Sequence, residues 1–160
     1  MCGEFILKLT GADRRLLHEL QQDASRNQSE LADIVGMSRT SCWRRMREFE
    51  QAGLVEGRVT LLNPKIAGFN IQVLLLVAMT EHTDRNRHSF EQHVSGLPEV
   101  TECFSVSGDR DYVLHVVVED METYNAFLNS KILDHEAVRS ASSTFVLRRV
   151  KYTTALPLLP

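Results

Sequence analysis

Cysteine is scarce in this chain. The three present, Cys2, Cys42 and Cys103, are odd in number and far apart along 160 residues. That pattern excludes a disulfide-stapled scaffold and suits a reducing compartment. Long apolar runs are missing as well: the longest, Val73 to Met79, falls far short of the ~20 residues that span a bilayer. Glu4 and Lys8 interrupt the one apolar patch near the N-terminus, which argues against a secretory signal. A soluble, cytoplasmic protein without a membrane partner is expected. A large charge excess is also absent. A net charge of -3 and a pI near 6.1 exclude a polycation that coats nucleic acid, so any affinity for DNA must be local. There is no phosphate-cradling glycine loop, nucleophile elbow or metalloprotease helix. The six histidines, His18, His82, His88, His93, His115 and His135, form no metal-ligand spacing with Cys or Glu. No catalytic residue, metal or cofactor is expected.

What is present begins with an apolar fraction of 43%, enough for buried cores in one large domain or two small ones. The stretch Asn27 to Leu54 lays out two helices joined by a tight turn. Asn27 and Glu30 can form a reciprocal capping box that opens the first, and Gly36 can close it in the left-handed conformation. Ser38 is a natural N-cap for the second, Met37 and Cys42 stand where a hydrophobic staple would, and Gly53 can end it with Leu54 folding back on Phe49. At about 100° per residue, Cys42, Met46, Phe49 and Gly53 gather on one side of that helix and Thr40, Arg44, Arg47 and Gln51 on the other. Arg39, Arg44, Arg45 and Arg47 bias positive charge to its leading half, with acids only at Glu48 and Glu50. A helix of this kind suits the major groove of DNA; the same periodicity also suits a solvated amphipathic helix with ordinary surface arginines. Trp43, at the edge of the apolar stripe, is expected to pack against neighbouring helices, with a contact on the DNA backbone as the lesser alternative.

Leu16, Leu17 and Leu20 make a further helical stripe after an Asp13 cap, so the head is a three-helix unit. Leu54 to Leu62 reads as a short strand or wing, and Asn63-Pro64 then stops regular structure. The domain boundary is placed there: residues 1–63 form a helix-turn-helix, winged-helix-like domain and residues 64–160 a second domain. The second domain reads as strand (Ile71 to Thr80), helix (Phe90, Val94, Leu97), strand (Val100 to Ser107), strand (Tyr112 to Glu119), helix (Met121, Tyr124, Phe127, Leu128) and strand (Val138 to Val150). Gly108 to Asp111 forms the turn between the middle strands. This is the ferredoxin-like βαββαβ arrangement, so the fold class is α+β. Two helices cover one face of such a sheet and leave the other needing cover, for which dimerisation is the expected remedy.

The combination resembles the Lrp/AsnC (leucine-responsive and asparagine-responsive) family of transcriptional regulators. The resemblance covers nearly the whole chain. It is carried by Asp13-Arg14-Arg15-Leu16-Leu17, Glu30-Leu31-Ala32, Val35-Gly36-Met37-Ser38, Thr40-Ser41-Cys42, Arg45-Met46, and Glu50 with Gly53-Leu54-Val55. Further along it is carried by Leu61-Leu62-Asn63-Pro64, Leu97-Pro98-Glu99-Val100 and Val106 to Tyr112. It implies a winged or plain helix-turn-helix domain and a C-terminal ligand-sensing domain. Dimers would assemble into a higher even oligomer, commonly an octamer, and bind small molecules, usually amino acids, where dimers meet. It places Ser107, Gly108, Asp109, Asp111 and Tyr112 at the effector pocket, together with Cys103, Thr144, Phe145 and Val146. Carboxylates there can meet an ammonium, and backbone N–H groups near a glycine can approach a carboxylate. Without the resemblance, Gly108-Asp109 reads rather as a plain hairpin turn.

The expected partners are therefore double-stranded DNA, a small-molecule effector and further copies of this chain. Thr40, Ser41, Arg44 and Arg39 are expected to read base edges, with Ser38 heading the same surface, while Arg45, Arg47 and Arg58 anchor phosphates. Two departures stand out. Arg39 and Ser41 flank Thr40 where family members often carry proline, and His135-Glu136-Ala137-Val138 replaces a frequent Leu-Pro-Gly-Val before the last strand. Two rival functions share this architecture: a siroheme-type tetrapyrrole decarboxylase, and an architectural DNA-compacting protein without an effector.

Overall fold

The computed structural model describes residues 8–158; Cys2 and the apolar patch preceding Lys8 lie outside the described residues. The chain forms two compact units. One runs to Thr60 and takes up the tail from Lys151, and the other spans Leu61–Val150.

The first unit contains α1 (Gly11–Gln22), α2 (Gln28–Val35) and α3 (Arg39–Gln51). Asp13 does not cap α1 from outside, as expected, but sits at its third helical position. Thr10 is the N-cap: its N–H donates to Asp13 Oδ2 at 2.8 Å, and the Asp13 N–H donates back to Thr10 Oγ1 at 3.2 Å. The capping box at α2 forms as the sequence suggests, with Glu30 N–H on Asn27 Oδ1 at 3.0 Å and Asn27 N–H on Glu30 Oε2 at 3.1 Å. Gly36 at φ 69° and Gly53 at φ 71° end α2 and α3. Met37 N–H then reaches Ala32 O, and Leu54 N–H reaches Phe49 O, each at 2.9 Å; a side chain at either glycine would be strained. Leu16, Leu17, Leu20, Leu31, Ala32, Val35, Cys42, Met46 and Phe49 form the core of this unit. No strand pairs between Leu54 and Leu62 among the described residues, so the short strand expected there is not formed. A lone segment has no neighbouring edge to satisfy its ladder.

The second unit contains β1 (Ile71–Met79), α4 (Asp84–Ser95), β2 (Val100–Ser105), β3 (Tyr112–Val118), α5 (Met121–Phe127) continuing into a π-helical turn (Leu128–Leu133), and β4 (Val138–Phe145). The sheet is antiparallel, in the order β2-β3-β1-β4. Val73, Leu75, Val77 and Met79 of β1 and Tyr112, Leu114, Val116 and Val118 of β3 alternate onto the helical side, where they meet Phe90, Val94, Tyr124, Phe127 and Ile132. The opposite face presents Leu74, Leu76, Phe104, Val113 and Val117, of which Leu74 and Phe104 are exposed. All four strands stop short of expectation, β1 and β3 by one residue, β2 and β4 by more. Val106 N–H turns to Asp111 O at 3.0 Å, which ends β2. The last ladder bond of β4 is Val146 N–H to Gln72 O at 2.9 Å, one residue from the start of β1.

The contact that fixes the first unit is ionic. Asp13 is 2% exposed, and Arg45 grips it with two hydrogen bonds, Nε to Oδ1 at 2.7 Å and Nη2 to Oδ2 at 2.6 Å. Burial alone would raise the Asp13 pKa, but the hydrogen bonds from Arg45 and Thr10 outweigh it and hold the group at about 2, below its ordinary 3.8. A depressed carboxylate stabilises the fold above its unfolded value, and that stability is lost as pH falls through the folded one. The shift corresponds to roughly 2 kcal/mol. Melting of the first unit is therefore expected to fall between about pH 4 and pH 2, and Asp13→Asn should flatten this dependence. Arg45→Ala, which leaves a buried charge unpaired, should cost about 3–5 kcal/mol by thermal or urea unfolding.

Candidate nucleic-acid interface

Helix α3 turns Cys42, Met46 and Phe49 inward. Arg39, Thr40, Trp43, Arg44 and Arg47 are exposed on its other sides. Trp43 is not part of the buried core of the three helices. It is 46% exposed and lies about 100° around the helix from Cys42. The Arg47 guanidinium stacks over its indole at 4.7 Å from the ring centre, a cation–π contact that holds an otherwise long and flexible side chain. Arg44, with a side chain 64% exposed, pairs with Glu48 at 2.6 Å across one helical turn. Such a pair is worth ~0.5 kcal/mol, so a phosphate or base edge can displace it.

The remaining sequence-selected residues are more committed. Arg45 is spent on Asp13, also meets Glu48, and lies over the Phe49 ring at 4.9 Å. Its guanidinium already has the partners that a phosphate would need. Ser38 caps α3 by accepting from Ser41 N–H at 3.2 Å, and its hydroxyl donates to Ser41 Oγ at 2.9 Å, so both serines shape the start of the helix. Arg58 pairs with Glu50 at 3.0 Å. The outward set is thus Arg39, Thr40, Arg44 and Arg47, with Trp43 beneath Arg47. Trp43 is the residue for which the lesser of the two sequence expectations suits the observed exposure better. Its one-residue offset from the Cys42-Met46-Phe49 stripe was the available signal.

The residues linked to an effector fall into two groups. Cys103 and Tyr112 line a cleft of about 310 Å³ with Glu91, Ser95, Thr101, Glu102 and Ser105. The Tyr112 phenol donates to Glu91 Oε1 at 2.7 Å, and burial first, then this carboxylate, pushes its pKa well above 10.0. Burial, then Glu91, raises the Cys103 thiol as well. Asp111 works in the turn: its Oδ2 accepts from Met79 N–H at 2.7 Å and its Oδ1 meets His82 Nδ1 at 3.0 Å. Ser107, Gly108 and Asp109 are exposed at the tip of that turn. Thr144, Phe145 and Val146 end the opposite edge strand, with Phe145 edge-on to Tyr124 at 5.3 Å. Since β3 and β1 intervene, about 14 Å of sheet separates the two edges. One chain does not bring the two groups into one pocket. Glu91→Gln is expected to lower the Tyr112 titration, read by ultraviolet absorbance, while burial keeps it above 10.0.

Comparison with known proteins gives this geometry a context. Residues 9–56 match the model of a winged helix-turn-helix DNA-binding domain, and residues 72–156 match that of the Lrp/AsnC ligand binding domain. The chain is 35% identical to the glutamate uptake regulatory protein of Zymomonas mobilis, over 96% of this chain and 93% of that one. It is 32% identical to the DNA-binding transcriptional activator DecR of Escherichia coli, over 91% and 96%. Among solved structures, an AsnC family regulator from Agrobacterium tumefaciens superposes with a TM-score of 0.89 at 39% identity, covering 94% of this chain and 97% of that one. A transcriptional regulator from Neisseria meningitidis, solved as a complex with L-Met, superposes with a TM-score of 0.90 at 33% identity and the same coverage. With both units matched in order and an arginine-bearing second helix facing outward, the chain belongs to the Lrp/AsnC family of transcriptional regulators.

Proposed function

We propose that this protein binds double-stranded DNA through the outward face of α3 as a dimer or higher even oligomer, up to an octamer, and that a small amino acid in the sensory domain tunes this binding. The observation that carries the reading is the outward set on α3. Arg39, Thr40 and Arg44 lie on the leading half, where a recognition helix meets base edges, and Arg47 is held over Trp43 in reach of a phosphate. Arg45 acts from inside, setting the rotation of α3 through Asp13. Ser38 and Ser41 shape the start of that helix, and Arg58 offers a further phosphate contact once released from Glu50.

Two features support assembly. The sheet face bearing Leu74 and Phe104 is uncovered in a single chain, and burying such a face stabilises by roughly 25 cal/mol per Å² of apolar surface. The effector-linked residues also divide between the β2–β3 end of the sheet and the β4 edge, so a pocket using both would draw on more than one copy. L-Met in the Neisseria meningitidis regulator supports the amino-acid class. An ammonium would meet Asp109 or Asp111, and a carboxylate the backbone near Gly108. As a DNA-bound regulator, the protein would act in the cytoplasm.

Gel-shift titration tests the reading: promoter DNA near the gene should bind more tightly than random duplex, and equal binding would contradict it. Arg44→Ala should relax discrimination at one base pair by about 1–3 kcal/mol. Arg47→Ala and Trp43→Ala should each weaken binding to all sequences and reduce the salt slope by about one. A thermal-shift screen of the twenty amino acids should find one that raises the melting temperature. Light scattering should give an even number of copies, and Leu74→Asp should reduce it.

A further inference from the structure

The C-terminal tail is specified almost residue by residue. Ala155 donates its N–H to Thr153 Oγ1 at 3.1 Å, a local turn built on a hydroxyl. Leu156 is then held at both backbone groups by one side chain: its N–H donates to Gln21 Oε1 at 2.6 Å, and its carbonyl accepts from Gln21 Nε2 at 3.3 Å. The amide of Gln21 takes the place that a neighbouring strand would occupy. Pro157 stands in the middle of a tight turn closed by Leu158 N–H on Leu156 O at 2.8 Å. The fixed φ of proline suits that inverse γ-turn. The turn brings Leu158 onto the apolar cluster of the three helices. A passive tail needs none of these arrangements.

The tail is also the direct continuation of β4. Thr144 and Phe145 pair with β1, and Val146 extends the ladder. Only residues 147–155 lie between that anchor and the Gln21 contact. From Val138 to the end, the sequence carries Arg139, Arg148, Arg149 and Lys151 and no acid, so nothing in the segment opposes a nearby phosphate backbone.

We infer that residues 151–158 are a strap: a peptide docked non-covalently on the three-helix head that ties it to the end of β4 as a second tether, beside the covalent linker over 56–70. What the tether transmits rests on the function proposed above. A head held twice explores less space than a head held once, so less freedom is lost when two heads seat on one duplex. An occupant that shifts Thr144 to Val146 pulls on the same short segment, which gives the sensory domain a lever on the head.

Two variants in the full chain test this. Gln21→Met keeps the length and apolar stem of the side chain and removes both hydrogen bonds; Leu158→Asp sets a carboxylate against the apolar cluster. Hydrogen–deuterium exchange should show residues 151–158 protected in the wild type and exchanging at least tenfold faster in both variants, while α2 and α3 keep their protection in Gln21→Met. Tail peptides that exchange like an unstructured chain in the wild type, or protection that survives both substitutions, would overturn the strap. On DNA, Gln21→Met should bind a duplex with two half-sites about tenfold more weakly and a single half-site unchanged. Equal loss on both duplexes, or loss on neither, contradicts the tether. Wild-type protein that prefers neither duplex to random DNA would strike the proposed function instead, and the exchange result would still decide whether the strap is docked.

Discussion

Asp13 carries two loads that the rest of the head depends on. Its carboxylate closes the capping box of α1 through Thr10 and receives the paired hydrogen bonds of Arg45 from α3. A forked guanidinium on a carboxylate fixes angle as well as distance, so the pair sets both the packing and the rotation of α3 against α1. That rotation buries Cys42, Met46 and Phe49 and leaves Arg39, Thr40, Arg44 and Arg47 outward. A buried pair of this kind adds little net stability, because desolvation offsets its attraction, but losing one partner is costly. Its contribution is best understood as orientation.

Much of this was legible in the sequence. Caps and glycine stops are local chemistry, and those at Asn27, Gly36, Ser38 and Gly53 act as their neighbours suggest. The apolar and valine-rich runs at β1 and β3, the turn at Gly108 and the order of the elements yielded the βαββαβ unit. What was not legible depends on distance along the chain. Arg45 looks like any surface arginine on a helical wheel, because its partner lies 32 residues away. Thr10 is hard to single out as the cap because Asp13, three residues on, is the stronger capping residue by type. The return of the tail to Gln21 spans 135 residues and leaves no periodic trace.

The sensory unit shows the same division between local and distant determinants. Asp111 and Tyr112 belong to a motif that looks like a ligand turn, yet within one chain their polar atoms are engaged with Met79, His82 and Glu91. The residues at the end of β4 lie two strands away from Tyr112, on the edge of the sheet opposite Cys103. Local turn chemistry therefore specifies the scaffold of the pocket, and assembly would complete it. The uncovered face at Leu74 and Phe104 imposes the same requirement on the sheet that paired half-sites impose on the heads.

The central claim is that the rotation set by Asp13 and Arg45 presents α3 to DNA. A structure of the protein bound to its promoter duplex measures this directly. The account predicts α3 in the major groove, with Arg44 at base edges, Arg47 still stacked on Trp43 beside a phosphate, and Arg45 still on Asp13. A complex in which α3 faces away from the duplex, or in which Arg45 leaves Asp13 to reach the DNA, would contradict it.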